Sequence, residues 1–113
     1  MVSASARLYW LGFAVEAKRV LGLRGHSASV LARLVEADGK PVSAARFYPL
    51  ARYRGEPMKP SCIKPAVHFV REALADCGLA ACVVTERGAR GEGVSFYRLD
   101  GAALVRAFIE GPQ

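Results

Sequence analysis

Cysteine is scarce in this chain, and so are histidine and long apolar runs. Its three cysteines, Cys62, Cys77 and Cys82, form no C-x-x-C pair. An odd number at such spacing argues against a disulfide framework and suits a reducing cytosol, so a cytoplasmic protein is expected. Together with His68 they are the obvious soft ligands, yet their spacing fits no zinc finger. No metal and no cofactor are expected, and the cysteines read as buried free thiols. The two histidines, His26 and His68, fall on different elements. No G-x-S-x-G, H-E-x-x-H or phosphate-loop pattern occurs. The G-x-G within residues 88–93 lacks the strand-to-helix setting of a dinucleotide fingerprint. The chain is therefore not expected to be an enzyme, and no catalytic residue is assigned. The apolar stretch at residues 8–15 runs into Glu16, Lys18 and Arg19. It falls far short of the roughly 20 apolar residues that span a bilayer. It also lacks the basic leader of a signal peptide, so no membrane partner is expected.

Acidic residues are nearly missing from one third of the chain. Residues 40–71 hold seven basic side chains, Lys40, Arg46, Arg52, Arg54, Lys59, Lys64 and Arg71, against Glu56 alone. That excess equals the net charge of the whole chain, +6. Sixteen basic and ten acidic residues in total leave nine of each elsewhere, which cancel. A positive surface confined to one region points to a polyanion, with nucleic acid favoured over an anionic membrane. The length of 113 residues and the hydrophobic content of 52% fit one globular domain with its own core.

Residues 7–21 carry apolar side chains on more than one face. Trp10, Ala14, Ala17 and Leu21 follow helical spacing, as do Leu8, Leu11 and Val15. Tyr9, Leu11, Phe13 and Val15 also alternate as a strand would, but length and the helix formers at 16–19 favour helix. Either apolar set can face the domain and leave the other for a partner. Ser27 or Ser29 can cap a second helix with Val30, Leu31, Leu34 and Val35 inside, stopped at Asp38-Gly39. A short helix from Ala44 to Tyr48 ends at Pro49, and residues 50–60 read as a loop. Ser61 can cap a clear amphipathic helix whose inner stripe is Ile63, Val67, Val70, Leu74 and Cys77. Its outer face carries Lys64, His68 and Arg71, with Glu72 and Asp76 off that stripe or near its far end. Residues 81–85 and 94–99 form two strands around a glycine-rich tip with Arg87 and Arg90. Asp100 can cap a last helix with Leu104, Val105, Phe108 and Ile109 inside.

Helix, short helix, amphipathic helix and then a hairpin with a basic tip is the order of a winged helix, a helix-turn-helix variant. There the third helix enters the major groove and the hairpin reaches backbone or minor groove. The chain also resembles the winged-helix output domains of two-component response regulators, the OmpR/PhoB-like class. The resemblance covers residues 27–99. It rests on Gly39-Lys40-Pro41-Val42-Ser43, on Val83-Val84-Thr85-Glu86-Arg87-Gly88 and on Tyr97-Arg98-Leu99. It implies an α+β winged helix-turn-helix with a three-helix core, a C-terminal β-hairpin wing and terminal helices. It also places the recognition helix at residues 63–74, and implies that the loop before it can touch RNA polymerase.

The expected organisation is an N-terminal helical segment at residues 1–26 that serves as a dimerisation arm, and a DNA-binding domain at 27–113. The expected function is sequence-specific binding of double-stranded DNA by a stand-alone transcription regulator, as a homodimer if the arm associates. The candidate contacts are Ser61, Lys64, His68 and Arg71 on the amphipathic helix, Arg52, Arg54 and Lys59 in the loop, and Arg87 and Arg90 on the tip. Lys64, His68 and Arg71 are assigned to sequence choice, because they share the face that meets base edges. Arg52 and Arg54 suit phosphate. Each group also has an ordinary reading as a solvated face or turn. A winged-helix protein–protein adaptor in a nucleic-acid-associated complex is the alternative function.

Overall fold

The computed structural model describes residues 4–23, 26–47, 52–53, 56–57, 59–87 and 95–111, with 4–8, 52–53, 56–57 and 87 as backbone only. The first helix, α1, spans Ala4–Leu21. Phe13, Ala17 and Leu21, each four residues apart, are buried, and Trp10 and Ala14 pack beside them. A strand would have buried Leu11 and Val15 with Phe13. Instead Leu11 and Val15 are 64% and 67% exposed, on the far side of the helix. The choice between the two apolar sets is thereby made: the Trp10, Ala14 and Ala17 side faces the domain.

The second helix, α2, spans Ser27–Glu36, and Val30, Leu31, Leu34 and Val35 are all buried as their spacing requires. Its cap position is His26 rather than a serine, and Ser27 is already helical and buried. The chain then turns through Asp38 and Gly39 into a strand that was not anticipated, β1 at Val42–Ser43. Two residues are too few to show periodicity. A 3-10 helix, Ala44–Phe47, stands where a short helix was expected, and it buries Phe47 against Tyr97. Part of the supposed loop pairs as a two-residue antiparallel ladder, β2 at Arg52–Tyr53 and β3 at Glu56–Pro57.

Pro60–Cys62 forms a 3-10 turn that leads directly into α3, Ile63–Asp76. Pro60, with φ already suited to a helix, starts the winding early. Ser61 therefore sits inside the turn, and Cys62 occupies the cap position in its place. Ile63, Val67, Val70 and Leu74 are buried, as are Ala66 and Ala73. The stripe ends there: Cys77 follows the last helical residue and is exposed. Cys82 is exposed as well and Cys62 is half-buried, so the expectation of buried thiols is corrected. A cysteine at the helix exit, or pointing outward from a strand, has no core to enter.

The hairpin strands are β4, Cys82–Arg87, and β5, Ser95–Asp100, paired antiparallel from Cys82↔Asp100 to Arg87↔Ser95. β1 joins the other side of β5 through Val42↔Tyr97 and Ser43↔Phe96, giving the sheet order β1-β5-β4. Val42, Val83, Tyr97 and Leu99 turn into the core. Asp100 closes β5 and caps no helix; Gly101 holds the cap position of α4, Ala102–Glu110. The buried residues of α4 are Ala102, Val105 and Ile109. Leu104 and Phe108, expected inside, are 45% and 40% exposed because the inward stripe runs at spacings of three and four from Ala102.

α4 also secures α1. The Tyr9 hydroxyl donates to Glu110 Oε2 at 2.5 Å and accepts from Arg106 Nε at 3.1 Å. The Arg106 guanidinium lies 5.3 Å from the Tyr9 ring centre and 5.5 Å from that of Trp10, within cation–π range. Burial, with the carboxylate of Glu110 next, pushes the Tyr9 phenol above its ordinary value. Among the described residues the architecture is thus α+β: four α-helices around one core, with a small three-stranded antiparallel sheet.

Candidate nucleic-acid interface

The inner stripe of α3 is apolar and fixed in the core, so its other residues face outward. Lys64, His68 and Arg71 are all exposed. Spacing of seven places Arg71 almost above Lys64, and His68 lies part of a turn further round. The structure thus brings these three candidates onto one side of one helix, but it uses them differently.

Arg71 leans onto the hairpin. Its Nε donates to the Val83 carbonyl at 3.0 Å, and its Nη2 donates to Thr85 Oγ1 at 2.6 Å. His68 pairs through Nε2 with Glu72 one turn on. The expectation that Glu72 sits off that stripe is corrected: four residues after His68, it lies on the same side of the helix and brings a carboxylate onto the outer face. Phe69, 38% exposed, flanks the same face. Lys64 keeps its ammonium in solvent near the start of the helix, with exposed Ser61 and Lys59 just before it.

The remaining candidates are more scattered. Arg52 and Arg87 are placed in β2 and at the end of β4 by their backbones alone, and Arg54 and Arg90 lie outside the described residues. Spacing overlooked Arg46, which is exposed in the 3-10 helix that precedes β2, and Lys40, exposed ahead of β1. Their place in the acid-poor third was the available signal. It also overlooked Arg98, whose Nε donates to Glu86 at 2.6 Å on the outer face of the hairpin. That pair follows from the β4–β5 register, which spacing within one strand does not reveal.

Among the side chains described outside residues 40–71, Lys18 is exposed without an acidic partner, but the arginines are paired. Arg19 binds Glu16, Arg33 binds Glu36, Arg98 binds Glu86 and Arg106 binds Glu110. By contrast Lys40, Arg46, Lys59 and Lys64 have no acidic partner among the described residues, and Arg71 meets only a carbonyl and a hydroxyl. Among the described residues the lysine and arginine side chains of residues 40–71 are therefore left without a carboxylate partner. No protein-family model, curated protein or solved structure matches the chain. Among the described residues no three His, Cys, Asp or Glu side chains gather as a metal site, and no helix is long and apolar enough to cross a membrane.

Proposed function

We propose that this chain is a winged-helix protein that binds double-stranded DNA, with α3 directed to the major groove and the β4–β5 hairpin as its wing. The observation that carries the reading is the unpaired charge. Among the described residues Lys40, Arg46, Lys59 and Lys64 stand free of acids, while elsewhere four arginines are each tied to a carboxylate and only Lys18 is likewise free. The element order supports it too: α2, the 3-10 helix, α3 and then a hairpin is the order that presents the third helix to a groove. A basic surface of this kind suits transcription regulation.

The test is a titration of duplex DNA at several salt concentrations. Neutralising about four or five phosphates gives a slope of log K against log salt near −4. Binding that ignores salt, or no binding at low salt, overturns the proposal. The adaptor alternative draws on Glu72 and the half-exposed Phe69 flanking the outer face of α3. An acid placed there repels phosphate and suits a protein partner. The same titration separates the two readings, since an adaptor gives no salt-dependent duplex binding.

A further inference from the structure

We infer that Arg71 is a positioning residue that sets the angle between α3 and the hairpin, and that it does not read DNA itself. The DNA arm of this inference rests on the proposed duplex binding; the structural arm does not.

The geometry is specific. β4 is the outer strand of its sheet, with β5 on one side only. From α3, Arg71 donates to the Val83 carbonyl at 3.0 Å and to the Thr85 hydroxyl at 2.6 Å. Val83 is buried in the core, and Thr85, two residues on, is exposed. The guanidinium therefore bridges the point where β4 leaves the core, while Tyr97, opposite Thr85 on β5, is still buried. Beyond that point apolar packing no longer fixes the direction of β4. A planar fork with its donors spread over two acceptors restrains direction, which a single ammonium on a flexible stem does not. It also gives an outward carbonyl of an edge strand a donor. With Nε and Nη2 engaged in this way, the guanidinium is poorly placed to make the bidentate base contact that its position on the helix suggests.

The tests use Arg71→Ala, Arg71→Lys and Thr85→Val, and the double variant Arg71→Ala with Thr85→Val. The first measurement needs no DNA. Residual dipolar couplings of amides in α3, β4 and β5 report the angle between helix and hairpin, well below the melting temperature. Arg71→Ala and Arg71→Lys are expected to change that angle alike, and Thr85→Val to change it less in the same direction. A merely stabilising contact would lower the melting temperature and leave the angle as it was. The second measurement is DNA affinity. Arg71→Ala and Arg71→Lys should both weaken binding by about tenfold, on specific and random duplexes equally, and the double variant should be no weaker than Arg71→Ala alone. An unchanged angle in Arg71→Ala overturns the inference. So does wild-type affinity in Arg71→Lys beside a loss in Arg71→Ala, which would mark a phosphate contact made by charge. Loss confined to one preferred sequence would mark base readout and overturn it as well. If the wild type binds no DNA, the DNA reading fails while the couplings still decide the strut.

Discussion

Gly101 joins β5 to α4 at a point where the chain has no room for a side chain. Its φ is +86°, and a Cβ there would lie 2.9 Å from the Ala81 Cβ, 3.1 Å from the Ala80 carbonyl oxygen and 3.2 Å from the Ala81 Cα. Ala80 and Ala81 form the connection from α3 to β4, so this contact helps set where the hairpin starts. Gly101→Ala has two costs. The left-handed backbone costs an L-residue about 1–2 kcal/mol, and forcing a methyl against fixed backbone adds about 1–3 kcal/mol. A less flexible unfolded chain returns about 0.4–1 kcal/mol. The net loss is about 2–4 kcal/mol, or roughly 10–20 °C in melting temperature for a chain of this size. Gly78→Ala is the control: its φ is +69°, but nothing lies within 4 Å of its added Cβ. It should lose only about 1 kcal/mol. Urea and thermal melts of both variants measure the difference. If Gly101→Ala comes within about 0.5 kcal/mol of Gly78→Ala, the close approach does not constrain this position and the reasoning fails.

Tyr9 gives a pH prediction. Its phenol is raised above 10.0 by burial and then by Glu110, so the folded chain holds that proton more tightly than the unfolded one. Its contribution is complete below the ordinary value and is lost as pH rises through the raised one. Melting temperature should fall as pH rises above 10.0, and less so in Tyr9→Phe; equal falls in both proteins would refute the assignment. Trp10→Ala should lower stability by about 2 kcal/mol without changing sedimentation, because Trp10 packs on the core and under Arg106. A change in association state with unaltered stability would contradict that. The homodimer expected from residues 1–26 would use the exposed Leu11 and Val15 face. Sedimentation at micromolar protein should show a dimer that Leu11→Glu with Val15→Glu dissociates, and a wild-type monomer removes the dimer. Arg87→Ala with Arg90→Ala should weaken DNA binding with the melting temperature unchanged; full affinity in that folded variant would make both arginines an ordinary solvated turn.

Much of this chain follows from local spacing. Val30, Leu31, Leu34 and Val35, like Ile63, Val67, Val70 and Leu74, recur at helical intervals that only one buried face satisfies. The concentration of charge in residues 40–71 was visible in the sequence too, because charge is a property of composition. Elements too short to show a period were hidden: β1 consists of two residues and exists because β5 is there to pair with it. Helix ends were blurred, since Cys62, His26 and Gly101 took cap positions that serine and aspartate could have held. The site shows the same division. Sequence placed Lys64, His68 and Arg71 on one face of α3, a matter of helical geometry alone. Only the tertiary structure brought Thr85 and the Val83 carbonyl to Arg71, from fourteen and twelve residues away. Only it left Leu11 and Val15 in solvent while burying Phe13 and Ala17. Spacing determines which residues share a face, but what that face meets depends on packing between distant parts of the chain.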